Sequence, residues 1–247
     1  MAAWSLYLHG VGNASAVALG SPMASIERDG RPWLTIDCGA EGLSAYESRH
    51  GQAPDALFIT HVHLDHVGGM ERLFVSTYFD PARRGKVRLY VPAPVVPLLQ
   101  RRVADYPNVL AEGGVNFWDA FQLVPVGDAF WHDGVRLEVF PVRHHWPDTA
   151  FGLRLPGSVV WTGDTRPIPE MLARFADAGE LVAHDWGCTA ILRTAAWRTW
   201  SANTRRSCWR AACCTTTPAP PMARRCARGH RVARAGEAVE LAAPHVP

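Results

Sequence analysis

The sequence predicts an α/β protein of packed β-sheet layers covered by helices. Three observations carry that reading. The 247 residues are 48% apolar, enough for a sizeable core. Hairpin patterns come first and strands mixed with helices follow. Before residue 187 glycine and proline are scattered, with no linker, repeat or low-complexity block, so residues 1–247 read as a single domain.

"WSLYLHG" reads as a strand that ends in a glycine turn. "MASIERDGRPWLTIDCG" alternates apolar and polar residues on both sides of Arg-Asp-Gly-Arg, the pattern of a hairpin. "LSAYESRH" reads as helix, "PDALFIT" as a short buried strand and "GGMERLF" as helix again. "KVRLYVPA" is a strand, and "APVVPLLQRRVADYP" a helix with proline near its start. "VRLEVFPVRHH", "AFGLRLPG" and "SVVWTGDT" form a strand series; "IPEMLARFADAG" is a helix and "ELVAHDWG" another strand.

Chemistry concentrates in "LFITHVHLDHVGG", residues 57–69. Just past an apolar strand stand His61, His63, Asp65 and His66. In such a loop His61 and His63 can point the same way, Asp65 and His66 follow after a bend, and Gly68 and Gly69 let the backbone approach closely. Imidazole and carboxylate together suit zinc, with iron or manganese as alternatives. Four ligand-type side chains in this order at the end of a strand argue against a set of unrelated surface histidines.

Charge is uneven. The formal net charge is +2, but Gly187 to Arg234 holds ten arginines and no acidic residue. The rest carries 15 basic and all 23 acidic side chains, so the main body is acidic. Lys86 is the only lysine. Five of the six cysteines crowd the arginine-rich stretch, and an even count without a secretory pattern implies no disulfide framework. No run of about 18 apolar residues exists to span a membrane. The N-terminus lacks a basic region followed by a long apolar one, which sets the expectation of a cytoplasmic protein.

"HVHLDH" resembles the HxHxDH signature of metallo-β-lactamase-fold hydrolases, and the resemblance runs from residue 5 to about 186. "GVGNASAVALGSPMASIERDGRPWLTIDCGA" is similar to the family's opening hairpins, with Asp37 in its "DCG" turn. "FPVRHH" resembles the strand bearing the next histidine, and "VVWTGDT" the strand whose aspartate bridges two metals. "LVAHDWG" resembles the His-Glu/Asp element of the ribonuclease Z and phosphodiesterase branch. The implied fold is a four-layer αβ/βα sandwich of two mixed sheets flanked by helices, with the site along one edge between the sheets.

By the same resemblance, His61, His63 and His144 bind a first divalent transition metal, Asp65 and His66 a second, and Asp164 bridges. His145 competes with His144 for the third place, since counting from Pro141 favours His144 and counting back from Gly152 favours His145; the one left over sits behind the ligands or faces substrate. Two ions about 3.5–4 Å apart hold a hydroxide nucleophile between them, which Asp65 helps to orient, and His184 with Asp185 forms a pair that donates a proton to the leaving group. His9, His50, His132, His230 and His245 are isolated and read as solvated or capping residues. Trp118, Phe130, Trp131 and Trp146 line a pocket mouth or pack in the core, and Arg166 meets an anionic substrate or a salt bridge.

The implied activity is metal-dependent hydrolysis of a small phosphodiester or related ester, with lactonase or thioesterase chemistry, or a catalytically impaired metal-binding homologue, as alternatives. Structured RNA ranks below a small-molecule substrate: members that process transfer RNA carry a long basic arm, absent here, and the acidic body is a poor surface for a polyanion. The oligomeric state is open.

Residues 188–227 stand apart. The resemblance calls for one more histidine here to complete the second metal site, and neither that residue nor an amphipathic period is present. Back-translation with GC-rich codons in a shifted frame permits histidines, an acidic amphipathic helix and an apolar strand ending in histidine. The segment therefore reads as frame-shifted and poorly packed, leaving the second metal weakly held. Without lysine, and with frequent cysteine and tryptophan, it does not read as a nucleic-acid-binding arm.

Overall fold

A computed structural model describes residues 2–105, 109–110, 113–186, 210–215 and 230–245. Two seven-stranded sheets face one another. The first takes β1 (Trp4–Gly10), β2 (Met23–Arg28), β3 (Arg31–Ile36), β4 (Ala56–Phe58) and β5 (Val87–Pro92). A two-stranded ribbon of β6 (Val109–Leu110) and β7 (Gly113–Gly114) separates β5 from β8 (Phe121–Val126). The second sheet takes β9 (Ala129–His132), β10 (Val135–Pro141), β11 (Phe151–Leu155), β12 (Val159–Trp161), β13 (Leu181–Trp186), β14 (Arg210–Thr215) and β15 (His230–Ala233), while β16 (Glu237–Leu241) returns to pair with β1. The orders are β16-β1-β2-β3-β4-β5-β8 and β15-β14-β13-β12-β11-β10-β9. Each sheet is mixed: in the first, pairing turns parallel from β3 onward, and in the second β12 to β15 are parallel and β9 to β12 antiparallel.

Period-two side-chain alternation explains why both faces of each sheet are covered. In β4, Ala56 and Phe58 enter the core between the sheets, while Leu57 points into a second core under helices. In β12, Val159 and Trp161 face the inter-sheet core and Val160 faces the opposite way. Leu6, Leu8, Ile26 and Leu34 meet Leu137, Val139, Leu153 and Leu155 across the middle. Helices α1 (Ala40–His50) and α3 (Met70–Tyr78) cover the outer face of the first sheet through Leu43, Tyr46, Leu73 and Phe74. Helix α5 (Pro169–Phe175) covers the second through Leu172 against Phe140 and Val182. The result is helix, sheet, sheet, helix. No helix among the described residues is long and apolar enough to cross a membrane.

The hairpin expected at Asp29-Gly30 is present, and both residues have positive φ (52° and 73°), the left-handed pair a tight turn demands. The helix expected over "APVVPLLQRRVADYP" is broken up. A 3₁₀ turn (Ala93–Val95) leads into α4 (Val96–Leu99), then a π turn (Gln100–Ala104), since Pro94 and Pro97 donate no backbone hydrogen bonds. Strands β8 and β9 were not read from the sequence. β8 contains Pro125 and lies at the sheet edge, where a missing N–H is tolerated.

Candidate metal centre

The site forms where sheet strands end. Beyond β4 the chain runs through Ile59 and Thr60 into His61–His63 and then α2 (Leu64–Val67), whose first turn presents Asp65 and His66. Beyond β10 come His144 and His145, and beyond β12 comes Asp164. Two contacts join these ends across the sheets. Phe151 N–H donates to the Thr60 carbonyl at 3.0 Å, and Gly163, at φ +59°, lies so close that an added Cβ would sit 3.4 Å from Thr60. Gly68 and Gly69 are in right-handed helical backbone, so what they supply is room: a Cβ on Gly69 would stand 2.9 Å from the Cys38 carbonyl oxygen.

Two groups of donor atoms converge. His61, His63, His144 and Asp164 form one; Asp65, His66 and Asp164 form the other; within each, ligand atoms lie within 4.8 Å of one another. Asp164 belongs to both. Its Oδ1 is 3.3 Å from His66 Nε2 and its Oδ2 is 3.6 Å from His144 Nε2.

Outer partners orient the first two buried rings. Asp37, fully buried at φ 62°, accepts from Thr60 N–H at 2.8 Å and from the Thr60 hydroxyl at 2.9 Å. Thr60 Oγ1 in turn lies 3.0 Å from His61 Nδ1, and His66 Nδ1–H donates to Asp37 Oδ2 at 2.7 Å. With both Nδ1 atoms engaged, the Nε2 atoms of His61 and His66 are left for the centre. Both are buried and without a hydrogen-bond partner among the described residues.

The electrostatics express the crowding. Burial, then the neighbouring His66, pushes His61 well below the ordinary histidine range. Burial opposes charge on His66 too, but Asp37 and Asp164 outweigh it and raise its pKa well above the usual value. His144 falls to about 4, chiefly by burial. Burial raises the Asp164 carboxyl, yet His66 and the other rings outweigh it and hold it below the carboxylate range.

These residues fit divalent cations. Orphaned, buried imidazole nitrogens facing a shared carboxylate are an incomplete arrangement that a cation would complete. His63 Nδ1 and His144 Nε2 are 3.1 Å apart, close to the separation of about 3.3 Å that two nitrogens on one tetrahedral zinc would have. The second group offers three residues among the described ones, and the segment in which a further histidine was expected lies largely outside them.

Other sequence readings fare unevenly. His184 and Asp185 line a cavity with His66 and Asp164. His184 Nδ1 lies 3.1 Å from Thr162 Oγ1, Asp185 N–H donates to the same hydroxyl oxygen at 3.3 Å, and Asp185 Oδ2 accepts from Thr165 N–H at 3.4 Å. His9 and His132 were expected to be solvated or capping but are buried. His9 packs among Tyr7, Tyr46 and His50, and His132 contacts Tyr90 and the Trp33 carbonyl. Phe130 is core, Trp146 is 81% exposed beside His145, and Arg166 donates to the Arg143 carbonyl. Thr60 went unnoticed in the sequence, where only its place beside His61 signalled a role.

Fold and donor set together define a metallo-β-lactamase-fold metal-dependent hydrolase of the ribonuclease Z and phosphodiesterase branch. The structure matches the metallo-β-lactamase fold protein YhfI from Bacillus subtilis with a TM-score of 0.71 at 12% identity, over 96% of this chain and 99% of that one. A ribonuclease Z from Mycobacterium sp. (strain KMS) is 30% identical over 194 residues, covering 66% of this chain and 65% of the relative. Within this class the chain belongs to the Anti-Pycsar protein Apyc1 family, whose family model matches residues 4–195. Anti-Pycsar protein Apyc1 of Saccharibacillus brassicae is 34% identical over 173 residues, covering 68% of this chain and 70% of the relative.

Proposed function

We propose that this chain hydrolyses a small phosphodiester at a centre for two divalent cations, zinc in the first instance with manganese or iron as alternatives. The observation that carries the reading is the pair of donor groups meeting at Asp164. His61, His63 and His144 would hold the first cation, Asp65 and His66 the second, with Asp164 between them. Bound there, the cations would supply Lewis acidity toward a phosphoryl oxygen and acidify a water.

The chain's own residues do the rest. Asp65, half-buried at the start of α2, offers a carboxylate oxygen that can orient the attacking water. His184 is neutral at pH 7, because burial lowers its pKa to about 4. The Thr162 hydroxyl donates to the Gly163 carbonyl, so toward His184 it accepts, and His184 Nδ1–H donates to it. That leaves the His184 Nε2 lone pair to take the proton released by the attacking water and pass it to the leaving oxygen.

A small substrate is favoured over structured RNA by the acidic body and the single lysine. The relatives named Anti-Pycsar protein Apyc1 and ribonuclease Z both accord with phosphodiester chemistry. Metal-loaded protein should be assayed on bis-p-nitrophenyl phosphate, cyclic mononucleotides, a lactone, a thioester, a β-lactam and a precursor transfer RNA. Turnover of the small phosphodiesters supports the proposal. Turnover of the lactone or thioester alone, or a precursor RNA cleaved faster than the small diesters, would overturn it.

A further inference from the structure

His63 is flanked by two histidines, and its ring nitrogens face different ones. His63 Nδ1 lies 3.1 Å from His144 Nε2, inside the first donor group. His63 Nε2 lies 2.6 Å from Nε2 of His145, which belongs to neither donor group. The rings of His63 and His145 are perpendicular, with centroids 4.2 Å apart, and those of His63 and His144 stand at 82° and 4.8 Å. The loop that follows β10 makes this clasp. Val142 N–H bonds the Ala150 carbonyl at one end, and Arg143 N–H bonds the Thr165 hydroxyl, so the two consecutive histidines straddle His63.

We infer that His145 is a positioning residue that accepts a hydrogen bond from His63 Nε2–H and so fixes His63 Nδ1 as the atom that faces the first cation. This rests on the metal-centre reading above. The alternative, His63 Nε2 and His145 Nε2 on one ion, fails on geometry. Two nitrogens 2.6 Å apart, each about 2.0–2.1 Å from zinc, subtend an angle of about 80°, far from tetrahedral. A separation of 2.6 Å suits a short hydrogen bond between rings instead.

The assignment also completes a pattern. His61 is held through Thr60 to Asp37, and His66 directly by Asp37; among the described residues His63 has no carboxylate or backbone hydrogen-bond partner and has His145 in that place. The ring nitrogen left for the cation is therefore Nε2 in His61 and His66, and Nδ1 in His63. An outer partner fixes tautomer and orientation and raises the basicity of the ligating nitrogen.

Zinc affinity should be measured by chelator competition on the full chain, its His145→Ala and His145→Gln variants, and a His61→Ala/His63→Ala control that identifies the first-site equivalent. The expected loss in His145→Ala is about tenfold, the lower end of the range for such partners, because His145 is exposed and water can replace it in part. His145→Gln, whose amide oxygen can accept the same hydrogen bond, should recover most of it. Nitrogen-15 spectra of the zinc-loaded parent should show His63 bound through Nδ1 with Nε2 protonated. A His145→Ala affinity within twofold of the parent, a glutamine variant as weak as alanine, or His63 bound through Nε2 would each overturn the inference. A parent that binds no zinc would be a separate result, overturning the metal-centre reading and this inference with it.

Discussion

His66 donates its Nδ1–H to Asp37 at 2.7 Å, and that one bond decides which face of the ring the centre receives. Asp37 also holds His61 through Thr60, so a single buried carboxylate that belongs to neither donor group aims two of the candidate ligands. Asp37→Asn tests this with little disturbance, since asparagine tolerates the left-handed backbone at φ 62°. An amide cannot accept from Thr60 N–H, the Thr60 hydroxyl and His66 Nδ1–H together through carboxylate-like oxygens. Zinc affinity should fall about 10–100-fold while the far-ultraviolet spectrum is kept. Unchanged affinity would remove Asp37 from its role.

What the sequence disclosed was what local pattern encodes. The clustered order of His61, His63, Asp65 and His66 announced a donor set, and the continuous apolar runs within "PDALFIT" and "SVVWTGDT" announced strands. The relation of His145 to His63 was not legible. It depends on a loop between β10 and β11 whose ends are pinned by Ala150 and Thr165, contacts between residues far apart in the chain. His9 was misread for a related reason. An isolated histidine in a strand looks like a surface residue until α1 lays Tyr46 and His50 over it.

The buried His9 makes stability acid-sensitive. Burial lowers its pKa to about 3 against 6.5 in the unfolded chain. Between those values the unfolded state binds the extra proton, so the neutral form's contribution is complete above pH 6.5 and is lost as pH falls toward 3. By pH 5 this amounts to about 2 kcal/mol. Urea unfolding in chelator at pH 7 and pH 5, for the parent and His9→Gln, should show a smaller pH difference in the variant by about that amount. An equal difference in both proteins would place the acid sensitivity elsewhere.

Arg154, 8% exposed, gathers Glu180, Glu138 and Asp177 at the end of the second sheet away from His144. Glu180 is 1% exposed and bonds Arg154 Nη2 at 2.7 Å. Arg154→Met would leave that carboxylate buried and without its cation, at a cost of about 3–5 kcal/mol. Adding Glu180→Gln should return part of it. Urea midpoints for the two variants check both statements, and a single variant as stable as the parent would contradict them.

Residues 188–227 lie outside the described residues except for the backbone of β14, and the family match ends at residue 195. We propose that the reading frame is displaced there, through sequencing error or mutation. Resequencing should find a single-base gain or loss near codons 187 and 227 whose correction restores an acidic segment with histidines. Absence of any such correction would end the idea. Salt-sensitive binding to generic nucleic acid, lost on truncation at Gly187, would show instead that the arginines form a working arm.

Asp164 offers an oxygen to both donor groups, so the two-cation reading stands or falls on it. Elemental analysis of the chain at dialysis equilibrium with saturating zinc, corrected for free metal, beside its Asp164→Ala variant, is the most direct measurement. The parent should retain more than one equivalent under saturating zinc, and the variant should lose metal from both positions. A variant that keeps the parent's full metal content would contradict a centre built around Asp164.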